Sequence, residues 1–264
     1  MTDPAAASTF ADLRLRLISG LVLVLVGGVA VWVGGRVFDA LVLVICGLAV
    51  WELCLLTAPE DRLSAGVVAL LVPVCLTLSV LFPMPVWRVF LTVPVLLIAL
   101  TPRRDRALAA GYALAIMVAG FGLVLAPYWA VLWLVAVVVI SDLAGYFVGR
   151  LLGGPKFWPA LSPKKTWSGT VAGWVGALAV GFGLSALSGQ LNGGLILASP
   201  VLAFAGLLGD IAESWIKRRA GVKDASNLIP GHGGVLDRFD AMIGAALAMS
   251  LIFLGRDLIA VLPG

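Results

Sequence analysis

The strongest constraint in this sequence is a run such as "LISGLVLVLVGGVAVWVGG", Leu17 to Gly35, which carries no charged side chain. An α-helix needs about 20 consecutive apolar residues to cross the hydrocarbon layer of a bilayer. Runs of this kind, parted by Pro, Gly or charge, recur near 17–35, 38–57, 64–82, 86–101, 107–126, 128–149, 167–187, 195–215 and 239–262. The expected fold is therefore all-α: a polytopic integral membrane protein with about nine transmembrane helices. Composition agrees, because only 12% of residues are charged, about half the share in a soluble domain.

Details within the runs refine this picture. The first follows Arg14 and Arg16 as a secretory leader would. It is long, lacks a clear small-residue cleavage site and leads into further spans, so a retained first helix is expected. The fourth is short and holds Pro94, which predicts a kink or tilt. Arg256 and Asp257 belong near the far end of the last. Cys46, Cys54 and Cys75 lie in predicted spans, and an odd count there points to core packing rather than a disulfide framework.

Charge sets the orientation. With the N-terminus in the cytoplasm and nine alternating spans, 15 of the 18 cations fall on the cytoplasmic side and three, Arg36, Arg88 and Arg256, outside. That is the bias the positive-inside rule demands. The simplest organisation is one integral domain over 1–264, with generic spans in 1–127. From 128 to 264, polar residues gather at cytoplasmic helix ends and in two longer loops, 150–166 and 216–238. All five lysines fall between 156 and 223.

Three constellations carry chemistry. In "GLLGDIAESWIKR", Asp210, Ser214 and Lys217 share one helix face at i, i+4 and i+7. An acid at the membrane boundary faces a polar cavity or a partner; the bland alternative is a helix end whose acids neutralise Lys217 and Arg218. In "IPGHGGVLDRFD", the glycines expose backbone amides, and Asp237 and Asp240 stand at i, i+3 at the start of the last helix. Either aspartate alone reads as a helix cap. Both with Asp210 read as oxygen donors for Mg²⁺ near phosphates. In "LSPKKTWSGT", Lys164 and Lys165 precede a helix start and are either positive-inside charge or a phosphate grip. Asp142, from "SDLAGYFVGR", faces the same region or pairs with Arg150 or a lysine. Acids mixed with cations on one membrane face imply a metal and a polyphosphate. No Walker-type loop is present, and no nucleic-acid partner is expected.

The stretch from Ser214 to Asp240 resembles the signature of the phosphatidate cytidylyltransferases, or CDP-diacylglycerol synthases. Ser214, Lys217, Arg218, Lys223, Asp224, Ser226, Pro230, His232, Gly233, Gly234, Asp237, Arg238 and Asp240 fill its fixed positions. Upstream, "LSPKKTWSGT" is similar to the family's Ser-Pro-Lys-Lys-Thr-x-Glu-Gly, with Ser168 in place of the glutamate. "SDLAGYFVGR" is similar to its Asp-x-x-Ala-Tyr-x-x-Gly-Arg, with Gly145 in place of alanine. The similarity covers roughly 140–242.

The resemblance implies that CTP and phosphatidate give CDP-diacylglycerol and pyrophosphate, in phospholipid biosynthesis. It implies a multi-pass protein of a bacterial-type inner membrane with its site on the cytoplasmic side, and a homodimer at the family level. It also implies Mg²⁺, with K⁺ as an accompanying ion, held by Asp210 and Asp237. The expected catalytic set is Asp210, Ser214, Lys217, Arg218, Lys223, Asp224, His232, Asp237, Arg238 and Asp240. The expected substrate-binding set is Ser162, Lys164, Lys165, Thr166, Asp142, Gly233 and Gly234. Rival readings are a cytidylyltransferase or CTP-dependent kinase for another lipid, of polyprenol type, and an ion-coupled transporter. The transporter would need polar residues near the midplane; here Glu52 is the one clear early acid, while the rest crowd one face.

Overall fold

A computed structural model describes residues 4–82, 86–189 and 191–261. The side chains of Arg88, Arg256 and Asp257, which enter the charge pattern, lie outside that description. The described chain forms nine α-helices and one small hairpin. In order these are α1 (Pro4–Val33), α2 (Gly35–Thr57), α3 (Arg62–Leu81), α4 (Trp87–Leu100), α5 (Arg106–Leu125) and α6 (Tyr128–Leu152). Then come β1 (Lys156–Trp158), β2 (Ser162–Thr166), α7 (Trp167–Leu187), α8 (Gly193–Ala220) and α9 (Leu236–Val261).

Seven of the helices, α1 to α3 and α5 to α8, are long and apolar enough to cross a membrane. At 14 residues, α4 rises only about 21 Å, short of the roughly 30 Å hydrocarbon layer. It contains Pro94. The nine expected helices are thus all present, and seven meet the spanning criterion among the described residues.

The chain divides into two compact units. The first comprises the chain up to Ala113 together with Ala220–Phe239. In it α2 packs on α3 and α3 on α4, and Val50 and Leu53 of α2, Val72 and Leu76 of α3 and Ile98 of α4 are buried. Cys46, Cys54 and Cys75 are buried, as expected of small core residues. Only 6% of the apolar window of α1 is covered by protein, which leaves it an apolar surface suited to lipid.

The second unit comprises Leu114–Arg219 and the chain from Asp240 onward. Its most extensive packing joins α6 to α7. Small residues bring α8 against α9: a Cβ on Gly206 would lie 3.2 Å from the Ala241 carbonyl oxygen, and one on Gly209 only 3.0 Å from Gly244 Cα. Close approach through small residues is how helices pack where no aqueous hydrophobic effect drives them together.

Two segments expected as loops are more ordered. The stretch 216–238 opens as helix, because α8 runs to Ala220 with Lys217, Arg218 and Arg219 in its last turn. Cations there are stabilised by the helix's negative end, and the Arg219 guanidinium lies 5.4 Å from the Trp215 ring centre. Hydropathy falls at those charges, although the backbone hydrogen bonding does not. The stretch 150–166 starts as the end of α6 and then folds into the β1–β2 antiparallel hairpin, pairing Lys156 with Thr166 and Trp158 with Ser162. Phe157 and Trp167 close it, ring centres 4.7 Å apart.

Candidate active site

In the first unit, the signature loop is built on two carboxylates. Asp237, in the first turn of α9, accepts the Gly234 amide at 2.6 Å and the Ala225 amide at 2.8 Å on one oxygen, Oδ2. This joins the two ends of the loop and neutralises the amide dipoles at the helix start. The Ile229 amide donates to the Gly233 carbonyl at 2.8 Å, and the His232 amide returns to the Ile229 carbonyl at 2.9 Å. That tight reversal holds Gly233 at φ 86, a backbone state that side chains disfavour.

The second carboxylate is Glu52 of α2, fully buried at 0% exposure. It accepts the Ser226 hydroxyl and the Val235 and Leu236 amides. Sequence reasoning noted Glu52 only as an isolated acid and gave it no site role. The available signal was its cost: an acid in an apolar helix must find a partner. His232 is half-buried, its Nδ1 2.7 Å from the Ser19 hydroxyl of α1. Lys223, Asp224 and Arg238 are exposed.

In the second unit, a cavity of about 700 Å³ opens between α6, the hairpin, α7 and α8. Asp142, Arg150, Lys156, Lys164, Lys165 and Asp210 line it. Its volume suits a nucleotide-sized ligand, and four of those six side chains are cations. Lys165 forms an ion pair with Asp210. Arg150 donates to the Tyr146 hydroxyl at 2.8 Å rather than pairing with Asp142.

Thr166 is buried, and its hydroxyl accepts the Gly169 amide at 3.2 Å as the N-cap of α7. Ser162 pairs with Trp158 in the hairpin. The hydroxyl of Ser168 donates to the Gly153 carbonyl and lies 3.1 Å from that of Thr166. The serine in place of the family glutamate therefore ties the end of α6 to the start of α7.

Along α8, the Ser214 hydroxyl reaches Asp210 at 3.3 Å, and Lys217 pairs with Glu213 at 2.7 Å. Arg218 is exposed. The glycine contact between α8 and α9 brings Asp210, Glu213 and Asp240 together, with a ligating oxygen of each within 4.8 Å of the others. Three hard oxygen donors so grouped make a candidate site for a metal ion. Asp210 and Asp237, the pair expected to hold it, belong to different units. Glu213 is the acid that sequence reasoning left out of the metal set, although it stands at i+3 from Asp210 on the same helix.

A sequence profile of the cytidylyltransferase family matches residues 14–254. Among curated proteins, the chain is 46% identical over 122 residues to a phosphatidate cytidylyltransferase of Brucella suis, covering 46% of this chain and 45% of that one. It is 43% identical over 126 residues to a phosphatidate cytidylyltransferase of Helicobacter pylori, covering 47% and 46% of the two chains. These matches span less than half the length of the relatives. A phosphatidate cytidylyltransferase of Pseudomonas aeruginosa aligns more broadly, 33% identical over 258 residues, 88% of this chain and 94% of that one.

Proposed function

The chain belongs to the cytidylyltransferase family, and on that premise we propose that it transfers the cytidylyl group of CTP to phosphatidate. The products are CDP-diacylglycerol and pyrophosphate, an early step in phospholipid biosynthesis. The observation that carries this reading is the cavity in which Asp210 and a set of cations meet beside the acids of α8 and α9.

In the reaction, a phosphate oxygen of phosphatidate forms a bond to the α-phosphorus of CTP. The bond from that phosphorus to the β-phosphate bridging oxygen breaks, and its electron pair leaves with pyrophosphate. The attacking phosphate is already ionised near neutral pH, so no strong general base is needed. Charge neutralisation and alignment are then the main tasks. Lys164 and Lys165, on the cavity wall, bind phosphate oxygens. Lys217, Arg218 and Lys223 add positive charge for the nucleotide and the lipid headgroup. His232, anchored at Ser19, positions the signature loop. Asp210, Glu213 and Asp240 are the residues that would hold Mg²⁺, with K⁺ as an accompanying ion. When bound there, Mg²⁺ supplies neutralisation of phosphate charge and stabilisation of the leaving group.

The same reading puts the protein in a bacterial-type inner membrane with the site at the cytoplasmic face, where CTP and phosphatidate meet, and has it assemble as a homodimer. The test supplies purified protein with labelled CTP, phosphatidate and Mg²⁺. The expected result is labelled lipid with stoichiometric pyrophosphate. Release of CDP with a phosphorylated lipid would replace the reading with a kinase. Labelling of a polyprenyl phosphate in preference to phosphatidate would change the substrate.

A further inference from the structure

The twelve residues before Glu52 carry no charge, yet its carboxylate is fully buried and takes three donors from one corner of the signature loop. Oε1 accepts the Ser226 hydroxyl at 2.5 Å and the Val235 amide at 2.9 Å, while Oε2 accepts the Leu236 amide at 2.6 Å. Leu236 is the first residue of α9, so Glu52 fills the place at a helix N-terminus where an anionic ligand would otherwise sit. The fit leaves no slack, because a Cβ on Gly234 would fall 2.5 Å from Oε1. Beside it, the Gly234 amide is held by Asp237. Each amide from Gly234 to Leu236 therefore ends on a carboxylate.

We propose that Glu52 is a positioning residue for cytidylyl transfer, fixing through this corner the depth and rotation of the first turn of α9, which carries Asp237. The inference rests on the reaction proposed above. Glu52 touches no substrate; it acts through Ser226, Val235 and Leu236. An exposed loop of this length, carrying Lys223 and Asp224, needs such an anchor to hold its charges in one geometry.

Glu52→Gln keeps the shape but turns one acceptor into an NH₂ group that faces a donor. Losing one or two hydrogen bonds to a charged acceptor corresponds to roughly a ten- to hundredfold fall in kcat. The KM for CTP should change little, since the cavity lysines are untouched. Ser226→Ala, which removes one donor and leaves the acid, should lower kcat less. The double variant should fall short of the product of the two effects, because both act on one corner. Hydrogen exchange supplies an independent readout: amides of 222–236 should exchange faster in Glu52→Gln, while peptides from α3 and α7 keep their wild-type rates.

If wild type is active but Glu52→Gln keeps kcat within about twofold, the positioning role is overturned. It is equally overturned if exchange rises throughout the chain, since that is general destabilisation. Wild type that makes no lipid product overturns the reaction itself, and this role with it.

Discussion

Several polar side chains here have work that their identity alone does not announce. Asp237 binds two amides and closes a loop, whereas Asp240, one turn later on α9, stands with Asp210 and Glu213. The two aspartates should therefore fail differently when neutralised. Asp210→Asn and Asp240→Asn are expected to cut pyrophosphate release at least a hundredfold and to shift the Mg²⁺ titration to higher concentration. Asp237→Asn should instead loosen the 222–236 loop first, visible as faster hydrogen exchange at Ala225 and Gly234. An unchanged Mg²⁺ titration in Asp240→Asn would remove it from the metal set. Gly234→Ala is a sharper probe of packing, because its new methyl must displace the Glu52 carboxylate. Overpacking of this kind costs about 1–3 kcal/mol, to be read as a lower midpoint in thermal unfolding.

At the scale of the element, the helices were legible almost to the residue where apolar runs end in Pro or Gly. Thus 107–126 and 167–187 were anticipated, and α5 and α7 follow them closely. The misses came where hydropathy and helicity part company. Charges in the last turn of α8 ended the apolar run but suited the helix, and the hairpin at 156–166 has too few residues to show a period of two. The candidate site was legible as motifs, since Lys164, Lys165, Asp142 and Asp210 do line one cavity. What no spacing could reveal was the approach of α8 to α9 through Gly209 and Gly244, or the reach of Glu52 across 184 residues to Leu236. Gly209→Leu should force those helices apart, abolishing activity while the protein still inserts in the membrane. Thr166→Ala removes the N-cap of α7 and should cost about 1 kcal/mol, measured as a modest fall in the unfolding midpoint.

For the molecule as a whole, sidedness is the property to test. The native cysteines are buried, so an added cysteine gives a clean signal. Lys223→Cys, in the exposed part of the loop, should react with an impermeant thiol reagent only after the cytoplasmic face is opened. Labelling from the external face would invert the topology drawn from the cations. Glu52 adds a consequence that belongs to time rather than space. Its first partner in the chain, Ser226, lies 174 residues downstream. At about 5–20 residues per second of synthesis, α2 waits roughly ten to thirty-five seconds for it. Through that interval a newborn helix carries an acid whose native donors have not yet been made.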